Sequence, residues 1–405
     1  MHIAVIGGGA AGMAAAYAAA SAGADVVIFE RNEKLGKKLF ISGKGRCNLT
    51  NDSEIEQHLA NVMHNPRFLY SAYHALSPTD LIFLIEGRGV KLKTERGGRV
   101  FPESDKSSDI LRAWQSLLSE ARVKFHLEER VHAIGRSEQG FTIDTAVGKY
   151  RFDKVIVCTG GITYQATGST GDGYRFAAKL GHSITQLFPS LVGIRADLPN
   201  TLPGLSLKNV EITVLSGGKI VCKEFGEMLF THTGISGPIV LRASARINRM
   251  EMKDVRISLD LKPALSEDVL DARLLRDFGD GINKTIRKVL PSLMPRSLIP
   301  LVLIQAGIDP DTPCHSISKE ARKALCHIVK GVEIVPIGFE ETNGAIVTSG
   351  GVAVAEVNAK DMQSKLVPGL YFAGEILDVD ALTGGYNLQI AFSTGYLAGM
   401  KAAMS

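Results

Sequence analysis

The chain has 405 residues, of which 45% are hydrophobic and 22% charged. This composition is typical of a folded protein of two or three domains and excludes a disordered or fibrous chain. A net charge of +4 permits a polyanionic partner without requiring one. The five cysteines are scattered and form no Cys-x-x-Cys pair, so we expect no metal site, no disulfide framework and a cytoplasmic location. No apolar run has membrane-spanning length, so we expect no membrane contact.

The first thirty residues predict a nucleotide-binding βαβ unit. Residues 2–6 predict a buried strand, residues 10–22 a helix and residues 25–30 a second strand that ends at Glu30. The turn before the helix has three glycines at the dinucleotide-binding spacing, Gly7, Gly9 and Gly12. Glycines at this spacing let backbone amides approach a pyrophosphate, and an acid at the end of the second strand can bind ribose hydroxyls.

Residues 31–51 are dense in glycine and lysine and predict a long functional loop or a short helix. Within them, Cys47 follows the run Ser42-Gly43-Lys44-Gly45-Arg46. A thiol flanked by cations can act as a proton donor or redox group, and it can equally be a small packing residue. Both interpretations of Cys47 remain open.

The middle of the first half predicts strands and one more helix. Alternating stretches near residues 88–101 and 123–151 predict strands and hairpins, and residues 155–161 predict a buried strand that ends in glycines. Residues 168–173 begin a predicted helix. Tyr164, on the loop between that strand and that helix, is a candidate proton donor.

Residues 191–260 are β-rich with turn signals, residues 266–330 are mostly helical with proline breaks, and the β pattern returns near residues 332–357. His232 lies in a polar, glycine-rich stretch at residues 226–238. It could be an acid–base group or bind substrate, although a lone histidine is more often structural.

The C-terminal pattern favours FAD over NAD. Residues 370–373 predict a strand followed by Gly374-Glu375, and Gly384-Gly385-Tyr386-Asn387 precedes a helix over residues 387–400. The acid can reach a ribityl chain, and the helix N-terminus would place positive potential near the flavin ring. A second dinucleotide fingerprint is absent, so we expect either that NADH or NADPH binds only transiently at the flavin as the electron donor, or that the reductant is another molecule.

The predicted architecture is therefore α/β and nested. A Rossmann-type FAD domain would consist of residues 1–190 and 349–405. A β-barrel substrate domain would consist of residues 191–265 and 330–348, and a small helical subdomain of residues 266–329.

Basic residues recur in three segments, at residues 34–46, 88–99 and 273–296. The functional interpretation is contact with the phosphates of a nucleic acid. The alternative is an ordinary solvated surface, since acids are interspersed.

Three separated motifs resemble the YhiN/BaiN-like family of bacterial flavoproteins. They are residues 42–48, residues 230–238, and Gly374-Glu375 through Gly384-Gly385-Tyr386-Asn387-Leu388-Gln389. The resemblance covers essentially the whole chain and implies a Rossmann-type FAD domain, an inserted β-barrel and a small helical domain.

The fingerprint, the C-terminal motif and the resemblance together assign cofactor contacts at both ends of the chain, with Val131 contributing its backbone near the adenine. The assigned residues are Gly7, Gly9, Ala10, Ala11, Gly12, Glu30, Arg31, Lys38, Gly45, Arg46, Asn48, Val131, Thr159, Gly160, Gly374, Glu375, Gly385, Asn387 and Leu388. We expect the FAD to be bound non-covalently.

Members of the family that the chain resembles have been assigned as ribosomal RNA dihydrouridine synthases, aminoacetone oxidases and reductases of unsaturated bile-acid ketones. Two of these reactions deliver hydride to a conjugated C=C bond. The sequence thus predicts an FAD-dependent oxidoreductase, with uridine in large-subunit ribosomal RNA as the favoured substrate. Cys47, Tyr164 and His232 are its candidate proton donors. The alternatives are a small-molecule amine oxidase that uses oxygen and a reductase of an unsaturated ketone.

Overall fold

The computed structural model describes every residue from Met1 to Ser405. It divides into two compact units. Unit 1 contains Met1–Ser190 and Thr342–Ser405, and unit 2 contains Leu191–Glu341. No helix combines the length and the apolar character needed to cross a bilayer.

The chain forms twenty strands and thirteen α-helices. The strands are β1 (His2–Ile6), β2 (Asp25–Phe29), β3 (Thr50–Asn51), β4 (Leu92–Glu95), β5 (Arg99–Pro102), β6 (Lys124–His126), β7 (Val131–Ser137), β8 (Gly140–Thr145), β9 (Lys149–Phe152), β10 (Lys154–Val157), β11 (Phe188–Ser190), β12 (Ile194–Ala196), β13 (Ser206–Ser216), β14 (Lys219–Phe230), β15 (Gly234–Ser236), β16 (Val255–Asp260), β17 (Val332–Ile334), β18 (Pro336–Phe339), β19 (Val347–Ser349) and β20 (Leu370–Phe372). The helices are α1 (Ala10–Ser21), α2 (Lys37–Ile41), α3 (Ile55–Ala60), α4 (Tyr70–Ala75), α5 (Pro78–Glu86), α6 (Ser107–Glu120), α7 (Asp172–Lys179), α8 (Pro238–Ile247), α9 (Glu267–Asp280), α10 (Ile286–Val289), α11 (Ile299–Ala306), α12 (Lys319–Lys330) and α13 (Tyr386–Met404).

Unit 1 is built on a parallel five-stranded sheet in the order β20-β10-β1-β2-β6. Its central strand β1 has the pattern His-Ile-Ala-Val-Ile and is buried from Ile3 onward, as expected for a parallel strand covered on both faces. The last strand of the chain pairs with β10, which brings the C-terminal motif to the same sheet as the N-terminal fingerprint. The Rossmann-type sheet formed from both termini is confirmed.

Helices α1 and α13 pack closely because small residues face each other. A Cβ added at Gly395 would lie 2.2 Å from the Ala11 carbonyl oxygen, and one at Gly399 would lie 2.0 Å from the Ala15 oxygen. Only glycine permits this separation between the two backbones. The contact fixes the N-terminus of α13 relative to the fingerprint helix.

Three small antiparallel sheets complete unit 1, in the orders β3-β5-β4, β7-β8-β9 and β11-β19. Strand β19 pairs with β11, so residues 342–348 lie in unit 1 rather than in the β domain to which the sequence pattern assigns them. The short run Val347-Thr348-Ser349 is indistinguishable from the preceding strands by pattern alone.

Unit 2 contains a seven-stranded sheet in the order β17-β16-β13-β14-β15-β12-β18. This hydrogen-bonded order is open. Its two edge strands, β17 and β18, are separated only by Val335 in the chain, so the end of one edge strand lies next to the start of the other.

The helical part of unit 2, α9 to α12, follows β16 and shares its apolar core. Ser266 caps α9 by accepting a hydrogen bond from the Val269 amide at 3.3 Å, as its position before Glu267 and Asp268 predicts. Residues 191–260 are β-rich, as predicted, but they also contain helix α8 (Pro238–Ile247), which the pattern did not predict. Pro238 at the first helical position and the buried stripe that includes Ile239, Val240 and Ala243 account for it.

Candidate functional site

Unit 1 contains a cavity at the carboxyl ends of its parallel strands. Its empty space, including the open mouth, is about 1390 Å³. Ligands of doubly wound sheets bind at this edge. Thirteen of the predicted cofactor residues line it: Gly7, Gly9, Ala10, Ala11, Glu30, Arg31, Lys38, Val131, Thr159, Gly160, Glu375, Asn387 and Leu388.

The remaining six predicted cofactor residues lie outside the lining, and four of them support it from behind. Gly12, Gly385 and Asn48 do so through the close contacts described below. Gly374 has φ +81°, and a Cβ there would lie 2.7 Å from the Cβ of Ala11, a residue of the lining. Gly45 and Arg46 belong to the loop that follows α2.

The fingerprint turn is shaped by close approaches that only glycine allows. Gly7 has φ +103°, and a Cβ there would lie 2.5 Å from the Cys158 carbonyl oxygen. A Cβ at Gly12 would lie 1.8 Å from the Gly7 oxygen. In contrast, a Cβ at Gly9 would meet nothing within 4 Å. The turn is therefore tightly packed on the protein side and open on the cavity side, where a pyrophosphate would approach the N-terminus of α1.

Glu30 is a buried carboxylate just beyond the end of β2. One carboxylate oxygen accepts a hydrogen bond from the Gly8 amide at 2.8 Å. The other accepts from the Asn32 amide at 2.9 Å and its side chain at 2.6 Å. These bonds fix the acid beside the fingerprint turn, where it can bind a ribose.

A second acid, Glu375, lies in the same cavity beside a lysine. The Lys38 ammonium donates to a Glu375 oxygen at 2.7 Å and to the Thr163 hydroxyl at 2.8 Å. The other Glu375 oxygen accepts from the Thr348 amide at 2.9 Å. This arrangement offers a cation and an anion to the polar chain of a bound cofactor.

The N-terminus of α13 is held in place by backbone contacts and by Asn387. Gly385 has φ +100°, and a Cβ there would lie 2.2 Å from the Thr50 oxygen. The Asn387 side chain accepts from the Ala381 amide at 2.9 Å and donates to the Ala381 oxygen at 2.8 Å. With its amide flipped, Asn48 accepts from the Gly385 amide at 2.9 Å. The helix start predicted to face the flavin ring is thus tied to two other segments.

The loop after α2 is conformationally strained. Lys44 (φ 60°) and Cys47 (φ 59°) adopt the left-handed conformation that non-glycine residues rarely adopt. Cys47 is completely buried and outside the cavity lining. Burial raises the pKa of its thiol to about 12, against the opposing effect of a hydrogen bond with Ser42. The thiol is therefore neutral at physiological pH.

The other two candidate proton donors lie in different units. Tyr164 also has a left-handed conformation (φ 52°), and the Lys38 ammonium lies 5.8 Å from the centre of its ring. It is half-buried and outside the lining, but its ring lies close to a lining lysine. His232 is exposed on the turn between β14 and β15 of unit 2.

The sequence analysis missed one buried network near the cavity. The Asp380 carboxylate, 1% exposed, accepts hydrogen bonds from the Ser190 hydroxyl at 2.8 Å and the Ser349 hydroxyl at 3.1 Å. It also lies 2.7 Å from Nδ1 of His64. Its neighbour Val379 lines the cavity, so the network positions that wall. The acids Asp378 and Asp380 in an otherwise apolar stretch were its only sequence signal.

The cavity fits an FAD molecule on grounds independent of any relative. It has open space at Gly9, and its lining includes two carboxylates, Glu30 and Glu375. In addition, the buried hydroxyl of Thr159, in the cavity wall, has no hydrogen-bond partner within the protein. Buried polar groups are usually satisfied, so a partner from a ligand is expected there.

The chain belongs to the family whose model is described as the HI0933-like protein Rossmann domain, which matches residues 1–401. It is 32% identical to a 3-dehydro-bile acid Δ(4,6)-reductase of Clostridium scindens, over 99% of both chains. It is 31% identical to the ribosomal RNA dihydrouridine synthase of Escherichia coli, over 97% of this chain and 95% of the relative. The synthase of Haemophilus influenzae is also 31% identical, over 98% and 97%.

Among solved structures, the chain is similar to a 3-ketosteroid Δ1-dehydrogenase of Sterolibacterium denitrificans. The TM-score is 0.54 and the identity 14%, with 100% of this chain and 99% of that chain covered. At this identity the likeness concerns the fold alone. Together, the family, the relatives and the cavity identify the protein as an FAD-dependent oxidoreductase, which confirms the sequence prediction.

Proposed function

We propose that the protein reduces uridine in large-subunit ribosomal RNA to dihydrouridine, with NADH or NADPH as the electron donor. The observation that carries this proposal is the similarity to two ribosomal RNA dihydrouridine synthases along nearly the full length of all three chains. The similarity includes both units, so it extends beyond the part that holds the cofactor.

The chemistry fits a conjugated alkene. A bound flavin, once reduced by NADH or NADPH, would supply the hydride for C6 of the uracil ring, and a protein acid would protonate C5. In this proposal Glu30 and Glu375 anchor the two ends of the cofactor, and Lys38 places a positive charge near it. The cavity walls exclude water from the reacting atoms.

The proton donor is proposed to be one of Cys47, Tyr164 and His232. Tyr164 is favoured by its position, since its half-buried ring has its centre 5.8 Å from the ammonium of the cavity-lining Lys38. Cys47 is disfavoured by its burial and its raised pKa. His232 has the accessibility that a donor to a large substrate needs.

A polyanionic substrate is also supported by the charge of unit 2. Residues 281–308 contain Lys284, Arg287, Lys288 and Arg296 and no acidic residue. All four are exposed, and of these only Arg287 pairs with an acid, Asp311 at 2.8 Å. A steroid gains nothing from such a surface, whereas RNA phosphates bind to it with release of counterions.

Deletion of the gene tests the proposal. Digested ribosomal RNA from the deletion strain should lack a dihydrouridine that the parent strain contains, as measured by mass spectrometry. Plasmid-borne wild type should restore it, and the Glu30→Gln plus Glu375→Gln variant should not, since it lacks both anchors. An unchanged dihydrouridine content in the deletion strain would exclude the ribosomal RNA substrate.

The second candidate is reduction of a conjugated C=C bond in an unsaturated 3-oxo steroid. It is favoured by the 32% identity to the bile-acid reductase, over 99% of both chains. The hydride chemistry is the same in both candidate functions, so only the identity of the substrate distinguishes them. Purified holoenzyme with NADH should then reduce a 4,6-dien-3-one steroid and leave uridine-containing RNA unchanged. Loss of the near-ultraviolet absorbance of the dienone measures the reduction.

A further inference from the structure

Two basic segments that are distant in the sequence form one surface of unit 1. Residues 34–46 contain five lysines and arginines and no acid, and residues 91–99 contain four and a single acid, Glu95. The Arg46 guanidinium joins them: it hydrogen-bonds Glu95 at 2.7 Å and lies 4.0 Å from the centre of the Phe101 ring. The loop after α2 and the β4–β5 hairpin therefore meet side by side.

Cations outnumber acids on this surface. Arg46, Lys93 and Arg99 share only two carboxylates, Glu95 and Asp105. The hydrogen bonds from Arg46 to Glu95 and from Lys93 to Asp105 lower the pKa values of both acids, so both remain ionised at neutral pH. Because Lys44 and Arg96 are exposed and have no acidic partner, the surface keeps a net positive charge.

The same loop carries an exposed apolar pair at the edge of the cavity. Leu39 and Ser42 line the cavity, and the residues between them, Phe40 and Ile41, are 43% and 42% exposed. The Lys34 ammonium lies 5.6 Å from the centre of the Phe40 ring. An exposed aromatic ring among cations, next to a cavity mouth, is the pattern of a single-stranded nucleic-acid surface.

We infer that single-stranded RNA binds to this rim surface, defined as Phe40, Ile41, Lys44, Arg46, Arg96 and Arg99. Its phosphates contact the cations, and a base beside the target uridine stacks on Phe40 while the uridine itself enters the cavity. Charge complementarity selects RNA over a steroid or a simple amine, neither of which has a phosphate backbone. The inference rests on the proposed function and specifies where that substrate is held.

The first test measures RNA affinity against salt. The FAD-loaded double variant Lys44→Asn with Arg96→Gln is compared with wild type, using a short fluorescein-labelled oligouridylate and fluorescence anisotropy. Asparagine tolerates the left-handed backbone at position 44. Each lost phosphate contact reduces the slope of log Kd against log salt by about 0.7, so the slope should fall by about 1.4. The control is Lys179→Gln with Lys360→Gln, two exposed and unpaired cations elsewhere in unit 1.

Equal salt slopes for the two double variants would overturn the inference. Melting temperature and flavin absorbance, measured on both double variants, verify that each is folded and loaded with FAD.

The second test replaces Phe40 by leucine, which keeps an apolar side chain and removes the stacking face. The RNA affinity of Phe40→Leu should be roughly tenfold lower than that of wild type, whereas Phe40→Tyr should keep the wild-type affinity. Phe83→Leu, at an exposed aromatic in α5, is the control; wild-type affinity of Phe40→Leu would contradict the stacking.

The surface and the proposed function fail in distinguishable ways. Loss of dihydrouridine on gene deletion, together with equal salt slopes for the two double variants, would retain the function and move the RNA site elsewhere, for instance to residues 281–308. An unchanged dihydrouridine content would refute the ribosomal substrate. If the slope at Lys44 and Arg96 still fell by about 1.4 relative to the control, the rim surface would remain an RNA-binding site with a different target.

Discussion

At the scale of single residues, the site depends on carboxylates that the backbone holds in fixed positions. Glu30 accepts three hydrogen bonds from Gly8 and Asn32, and Glu375 accepts from Lys38, Thr163 and Thr348. Neither acid is free to rotate away from the cavity. Such preorganisation means that a bound cofactor need not order the side chains that hold it.

Glu30→Gln should weaken FAD binding by about ten- to one hundred-fold, because hydrogen bonds to a charged acceptor contribute about 1.5–3 kcal/mol. Equilibrium dialysis and the ratio of flavin to protein absorbance measure the loss. Glu86→Gln is the matched control, since this exposed acid of α5 lies outside the cavity lining. Equal FAD affinity in the two variants would show that Glu30 does not contact the cofactor.

Cys47 predicts a pH-dependent stability. Its folded pKa is about 12, above its ordinary value of 9.0, so the neutral thiol contributes stability below pH 9 that is lost as the pH rises toward 12. Cys47→Ala has no thiol at this position, so its stability does not decrease in this way as the pH rises. The stability advantage of wild type over Cys47→Ala, measured as free energy of unfolding, should therefore be about 1.4 kcal/mol smaller at about pH 10 than at pH 7.

Urea unfolding at the two pH values measures the difference. Val157→Ala, which removes another buried side chain and no titratable group, should cost the same at both. If the difference in free energy of unfolding between wild type and Cys47→Ala does not change with pH, the thiol is in contact with solvent. Cys47 would then again be a candidate proton donor.

At the scale of elements, the contact between α1 and α13 links the two ends of the chain. Gly395→Ala would push a methyl group into the Ala11 backbone and should destabilise unit 1 by about 1–3 kcal/mol. Thermal unfolding of the holoprotein measures it. Gly279→Ala, in α9 with nothing within 4 Å of the added Cβ, should be neutral or slightly stabilising. A melting temperature for Gly395→Ala that equals that of wild type would mean that the two helices can separate at little cost.

Some elements could be predicted from the sequence because local chemistry determines them. The fingerprint turn follows from Gly7, Gly9 and Gly12, and the start of α9 follows from Ser266. Helix α8 was not predicted, because a short apolar run does not distinguish a buried helix from a strand. Strand β19 lies within the β pattern predicted near residues 332–357, but its pairing with β11 in unit 1 was not predicted. Both features depend on partners that are distant in the chain.

The same limit applies to the site. Gly7, Gly9 and Glu375 of the glycine motifs line the cavity, whereas Gly12, Gly374 and Gly385 lie outside its lining. The contact of these residues with a cofactor stays a prediction. The Asp380 network and the rim surface could not be predicted, because each forms only where distant segments meet, as when Arg46 contacts Glu95 and Phe101. The burial of Cys47 likewise depends on the whole fold, whereas the sequence showed only its basic neighbours.

At the scale of the whole molecule, the protein combines a cofactor unit with a second unit that has its own core and its own basic segment. The family to which it belongs contains relatives named for an RNA and for a steroid substrate, at nearly equal identity. Both named reactions reduce a C=C bond. In the proposed function, substrate choice would depend on surfaces such as the rim surface and residues 281–308 rather than on the cofactor cavity.

The most direct measurement of the central claim is a single turnover without oxygen. The flavin of the purified holoenzyme is first reduced with NADH or NADPH and is then mixed with ribosomal RNA from the deletion strain. The account predicts that the oxidised flavin spectrum returns and that one dihydrouridine forms for each flavin reoxidised. If the RNA leaves the flavin reduced, while an oxidised sample is bleached by a simple amino ketone and reoxidised by air, the protein is an amine oxidase and the account is contradicted.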